Sequence, residues 1–144
     1  MSVDARAEIV IDRPREAVAR VMFDPKCDKL WIGGLSNVFP KSPGLLTKGA
    51  SVERVGDFLN RRYSANVVVV KDEPNRLLEL SLDEPFTMTV RYELADEGSG
   101  TLVKLRIQGF GENEYKQMPA AIFAKAVTDA ANSDLRNLKK HLES

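Results

Sequence analysis

Residues 118–142, MPAAIFAKAVTDAANSDLRNLKKHL, decide the fold. They form one alanine-rich, one-sided helical pattern, with Pro119 suited to its first turn. At about 1.5 Å per residue the segment would be roughly 40 Å long, more than the width of a small domain. Such a helix, arriving last, must lie across the whole face of the sheet that precedes it. At about 100° per residue, Ala120, Phe123, Ala124, Val127, Ala130, Ala131, Leu135, Leu138 and Leu142 share an arc of about 140°. Lys125, Asp129, Asn132, Arg136, Lys139, Lys140 and Glu143 take the other side. The stripe is mostly alanine in its first half and leucine in its second. The leucine half is therefore expected to pack tightly on the sheet, and the alanine half to stand over free space. Small side chains could equally bring helix and sheet closer, with no void. Asp134 falls inside the apolar arc, where a carboxylate must be solvated at a rim, paired or facing a ligand, because burying it unpaired is costly.

Working back from that helix, the chain reads as strands. Val3, Ala5, Ala7, Ile9 and Ile11 alternate with mainly charged residues, the period of a half-buried strand. At Asp12-Arg13-Pro14 the period changes: Asp12 can serve as a helix N-cap and Pro14 as a first-turn residue. Ala17, Val18, Val21 and Met22 give a short helix an apolar face. A second short helix is expected over residues 26–32, stopped by Gly33-Gly34. Six strands follow, at about 35–39, 50–58, 62–71, 76–82, 86–94 and 101–109. Their separators, among them Leu59-Asn60, Asp72–Asn75, Asp83–Pro85 and Ala95–Gly100, are mostly turn chemistry, and short connections favour antiparallel neighbours. The class is α+β: a curved antiparallel sheet of about seven strands wrapped around a long C-terminal helix, with two short helices after the first strand. With no repeat and no linker, residues 1–144 are expected to form one domain.

Three strands have clear inner faces: Phe86, Met88, Val90, Tyr92 and Leu94; Val103, Leu105 and Ile107; and Leu78, Leu80 and Leu82. The strand at 50–58 does not. Its Val52, Gly56 and Phe58 share a face with Arg54, while Val55 shares the other with Glu53 and Asp57. Either this strand lies at an edge or rim, or Arg54 reaches into a cavity to hold a polar ligand head.

Composition excludes several function classes. Lys+Arg and Asp+Glu balance at 21 each, so no bulk charge draws the chain to nucleic acid or to an anionic membrane. Cys27 is the single cysteine, which precludes an internal disulfide. The first twelve residues carry charges throughout and lack the apolar core of a signal peptide, and no run approaches a membrane span, so a cytoplasmic location is expected. One His and one Cys cannot assemble a common zinc set, and no cofactor or metal is expected. His141, in the last helical turn, reads as a solvated residue, and Cys27 and His141 make no plausible nucleophile pair. Glu112 and Glu114 read as ordinary surface acids. Gly109-Phe110-Gly111 lacks the third glycine and the βαβ context of a dinucleotide fingerprint.

The whole-chain pattern resembles the START-like helix-grip (SRPBCC) superfamily, in its polyketide cyclase/dehydrase and lipid-transport branch. EIVIDRPREAVARVMFDP looks like that family's first strand and I-x-x-x-P-x-x-x-V element, through Ile9 or Ile11, Pro14 and Val18, with Asp24 and Trp31 following. VVVVKDEPNRLLELSL is similar to its valine-rich strand, acidic-Pro turn and next strand, and DLRNLKKHL to the end of its gripping helix. The resemblance implies an interior cavity for an apolar or aromatic small molecule, such as a lipid, sterol or polyketide. It does not imply a reaction, and this chain departs from catalytic members in having no histidine in the sheet and no evident acid/base pair. Candidate walls are Trp31, Phe58, Tyr63, Phe86, Met88, Tyr92, Phe123 and Val127, with Arg54 and Asp134 as polar anchors. A competing reading is a cyclase or dehydratase in which Tyr63 or Tyr92 and Arg54 orient an enolising substrate. A third is a protein-interaction module. A homodimer is compatible with all three.

Overall fold

The computed structural model describes residues 2–110, 115 and 117–144; Gly111, Glu112 and Glu114 of the sequence reading lie outside the described residues. Seven strands form one antiparallel sheet: β1 (Ser2–Ile11), β2 (Leu35–Pro40), β3 (Ser51–Phe58), β4 (Arg61–Glu73), β5 (Leu77–Leu82), β6 (Thr87–Glu97) and β7 (Gly100–Phe110). Their order across the sheet is β1-β7-β6-β5-β4-β3-β2. The sequence order from β2 to β7 is thus a plain meander, as its short turns require. Helices α1 (Arg15–Met22) and α2 (Asp28–Trp31) follow β1, joined by a 3-10 turn at Pro25–Cys27, and α3 (Ala120–Glu143) closes the chain.

Side-chain alternation carries into burial. Val3, Ala5, Ala7 and Ile11 of β1 turn inward, as do Met88, Val90, Tyr92 and Leu94 of β6 and Val103 and Leu105 of β7. They meet the buried stripe of α3, which is Phe123, Val127, Ala131, Leu135, Leu138 and Leu142. The far end of α3 is pinned by polar ties. Arg13 Nη1 donates to the Leu142 carbonyl at 2.9 Å, Lys139 Nζ to the Val10 carbonyl at 2.7 Å, and Asn137 Nδ2 to the Trp31 carbonyl at 3.2 Å.

The structure corrects four expectations. Asp12 does not cap α1: its N–H donates to Glu143 Oε2 at 2.8 Å, and Pro14 is the N-cap, with no side-chain bond. The β6–β7 connection is tighter than Ala95–Gly100, because both strands run on to a turn at Gly98-Ser99. The strand bearing Arg54 is not an edge: β3 lies between β2 and β4, which sends Arg54 inward. The alanine-rich half of α3 stands over a hollow only in part: Val127, Ala130 and Ala131 line one, and the first turn of the helix has none beneath it. Phe123, fully buried within that run, fills the space, its ring 5.0 Å from Phe86, 5.3 Å from Tyr115 and 6.2 Å from Phe58. Ala120 at that end is exposed, so it borders no hollow. The hollow lies further along the helix.

Candidate ligand-binding cavity

Between α3 and the sheet, past the Phe123 cluster, lies a cavity of two adjoining lobes. One, of about 110 Å³, is lined by Trp31, Arg54, Tyr63, Met88, Tyr92 and Asp134, together with Ile32, Leu82, Pro85, Val90, Leu105 and Ile107. The other, of about 120 Å³, shares Ile32, Tyr63, Pro85, Met88, Ile107 and Asp134 and adds Gly33, Asp57, Phe58, Phe86, Val127, Ala130 and Ala131. Both fall below the roughly 300–1,000 Å³ of drug-sized sites, so a guest must be small or must displace a side chain.

Nine of the ten residues singled out in the sequence line one lobe or the other, and Phe123 does not: it supports Phe58 and Phe86 from behind. Ile107 was legible as an inward residue of its strand. Ala130 and Ala131 belong to the helical stripe expected to face free space, whereas Ile32 and Pro85 carried no ligand signal, since loop positions follow no strand period. Asp28 was missed too. The one available hint is its spacing, three residues before Trp31, which puts both on one face of a helical turn.

The polar floor begins with Asp28 and Arg54, 0% and 6% exposed. Arg54 Nε donates to Asp28 Oδ2 at 2.9 Å, and Nη2 approaches the Tyr92 hydroxyl at 3.5 Å. Burial works against the Arg54 charge, but Tyr92 and Asp28 outweigh it and hold the guanidinium above its ordinary pKa. Burial pushes the Asp28 carboxyl up, against the pull of Arg54. Among the described residues, two buried polar atoms, Asp28 Oδ1 and Trp31 Nε1, find no hydrogen-bond partner. Burial likewise raises Tyr63 and Tyr92, so both remain phenols that can donate.

Asp134 stands on the opposite wall, half-buried, its Oδ1 accepting from the Gly33 N–H at 2.9 Å. Desolvation raises its pKa to about 7, against the smaller opposing effects of Gly33 and Arg54. Its charge therefore changes near neutrality. Cys27 offers no nucleophile: burial, then Asp24 and Asp28, push its thiol up. His141 is exposed in the last turn of α3 and lines neither lobe.

A larger surface groove of about 630 Å³ runs over β1, β6 and β7, among Arg6, Glu8, Arg91, Glu93, Lys104 and Arg106. Several of its charges are already paired, Arg106 with the neighbouring Asp4 at 2.8 Å and Arg91 with Glu93 at 3.0 Å. Exposed pairs of this kind hold little binding energy in reserve. The interior cavity is the better site.

No family model matches the chain, and no curated protein matches it in sequence. Solved structures do match its fold. A START superfamily protein from Mycobacterium smegmatis, 10% identical, superposes with a TM-score of 0.82 over 97% of each chain. KanY protein (ms6282), 19% identical, gives 0.78 over 100% of this chain and 99% of that one. Ara h 8.0201, 8% identical, gives 0.72 over 99% and 98%. The chain therefore has the START-like helix-grip fold. At such identities the likeness establishes the fold and nothing finer. Among the described residues, no helix is long and apolar enough to cross a membrane.

Proposed function

We propose that this protein binds and carries a small, largely apolar molecule in the cavity between α3 and the sheet. The observation that supports the reading is the composition of that cavity. Its walls are mainly Ile32, Pro85, Met88, Ile107, Val127 and aromatic rings, with polar groups from Arg54, Tyr63, Tyr92, Asp134, the Trp31 indole N–H and the rim acid Asp57. Apolar walls supply affinity by removing guest surface from water, and a few placed polar groups fix orientation. The fold's polyketide- and lipid-binding branch is the chemistry this reading favours.

Thermal unfolding with 1-octanol or 1-naphthol as probe tests it. A guest at ten times its Kd stabilises by about 1.4 kcal/mol, a rise in Tm of roughly 3–6 °C for a chain of this size. Native mass spectrometry of the freshly purified protein should retain small apolar adducts. A flat Tm across both probes, with no retained adduct, would end the proposal.

Asp134 favours a second reading. A carboxyl that titrates near pH 7, across a small cavity from a tyrosine and an arginine, is suited to general acid/base work on an enolisable carbonyl. Asp134 would exchange the proton while Arg54 and Tyr63 oriented the substrate oxygen, as a cyclase or dehydratase requires. Turnover of a polyketone that is lost in Asp134→Asn would select it over carriage.

A further inference from the structure

The hydrogen-bonding capacity around the cavity is lopsided. A guanidinium has five N–H donors, of which Arg54 uses two. Among the described residues, Trp31 Nε1 has no partner, and the Tyr63 and Tyr92 hydroxyls donate to none. Unused carboxylate acceptors are fewer: Asp28 Oδ1, the second oxygen of Asp134 and one oxygen of the rim acid Asp57. Buried donors seek acceptors, and a guest head rich in acceptor oxygens meets that need. Asp28 already balances the Arg54 charge, which leaves Asp134 as the group that sets the net charge of the cavity.

We propose that the guest is an apolar carboxylic acid, and that it binds with uptake of one proton, held between its own carboxylate and Asp134. This rests on the carrier reading above and names the class of ligand. Two carboxylates facing one small cavity cannot both stay ionised, because each raises the proton affinity of the other. The proton comes from solvent, no covalent bond changes, and the complex holds one negative charge among the donors of Arg54, Tyr63, Tyr92 and Trp31. The surroundings of Asp134 allow this from each side. β3 presents Arg54, and also Asp57, whose carboxylate turns to Arg62 at 3.5 Å. α2 presents Asp28, already held by Arg54, and β4 and β6 present phenols that stay neutral. The Gly33 N–H takes one oxygen, and α3 itself adds only Val127, Ala130 and Ala131 to this wall. The raised pKa of Asp134 in the empty cavity means that much of the proton's cost is already met there.

Titration calorimetry with octanoate and 1-octanol, in two buffers of different ionisation enthalpy, tests the proposal. At pH 8 octanoate should bind with uptake of close to one proton, and octanol with none. Octanoate affinity should fall toward tenfold per pH unit above pH 7, while octanol affinity stays flat. In Asp134→Asn the octanoate dependence between pH 6 and 9 should vanish. Octanol binding with no proton uptake by octanoate, or an unchanged slope in Asp134→Asn, overturns the carboxylic-acid assignment and leaves the carrier reading standing. Binding of neither probe at any pH overturns both. The wild-type calorimetry decides alone if the Asn variant folds poorly.

Discussion

Arg54 Nε lies 2.9 Å from Asp28 Oδ2, and this buried ion pair joins β3 to α2 beneath the cavity. Removing one partner leaves the other charged in a place water does not reach, which costs about 3–5 kcal/mol. Arg54→Met and Asp28→Leu should each destabilise by that order. The double variant should recover much of the loss, because no uncompensated charge remains. Urea unfolding of the four proteins closes the cycle. Single variants costing under about 1 kcal/mol would mean the pair is not the tie it looks to be.

Asp134 gives stability a pH signature of known sign. Its carboxyl has a pKa of about 7 in the folded chain against 3.8 ordinarily. The native state therefore binds more protons than the unfolded state between those values. The stability this contributes is full below about pH 4 and is lost as pH rises through 7, at up to about 1.4 kcal/mol per pH unit. Asp134→Asn lacks that loss, so its advantage over wild type should grow from pH 5 to pH 8. Comparing the two proteins cancels the titration of Asp28, which is raised in the same direction. Parallel stability curves would show that Asp134 is solvated rather than set in the wall.

Most of the architecture was legible because it rests on periodicity. Period two in 3–11, 86–94 and 101–109 and period 3.6 in 118–142 are the marks of elements with one apolar face, and each formed. The location of the cavity was legible only in part: Val127, Ala130 and Ala131 of the expected stripe line it, and the first turn of α3 does not. An alanine run says that helix and sheet are close or separated by space, and cannot say which. The decision came from Phe123, whose ring reaches across to Phe86 and fills one end. The direction of Arg54 was ambiguous for a related reason: its strand carries charge on both faces, and the partners Asp28 and Tyr92, distant in sequence, make an inward arginine tolerable.

Gly34 is a point where backbone alone decides. Its φ is +81°, and a Cβ there would stand 2.6 Å from the Asp57 carbonyl oxygen, while the Gly34 carbonyl accepts from the Asp57 N–H at 3.0 Å. Gly44 has the same φ of +81° with nothing within 4 Å. The left-handed conformation alone costs an ordinary residue about 1–2 kcal/mol. Gly44→Ala should cost about that much, and Gly34→Ala distinctly more, with the cavity mouth beside Gly33 disturbed. Equal losses in chemical denaturation would show that the loop yields freely.

Ala130 tests the position of the cavity itself. It lines the lobe beside Val127, while Ala124, one and a half turns earlier, does not. Ala130→Leu adds three carbons toward the empty space, and volume added to a void avoids the roughly 1–3 kcal/mol of strain that overpacking brings. Stability should change by less than about 1.5 kcal/mol, while the Tm rise with 1-octanol should shrink by half or more. Ala124→Leu should leave that rise intact, because Ala124 lines neither lobe. If Ala124→Leu blocks the probe and Ala130→Leu does not, the guest enters at the helix N-terminus, and the Phe123 cluster must open to admit it.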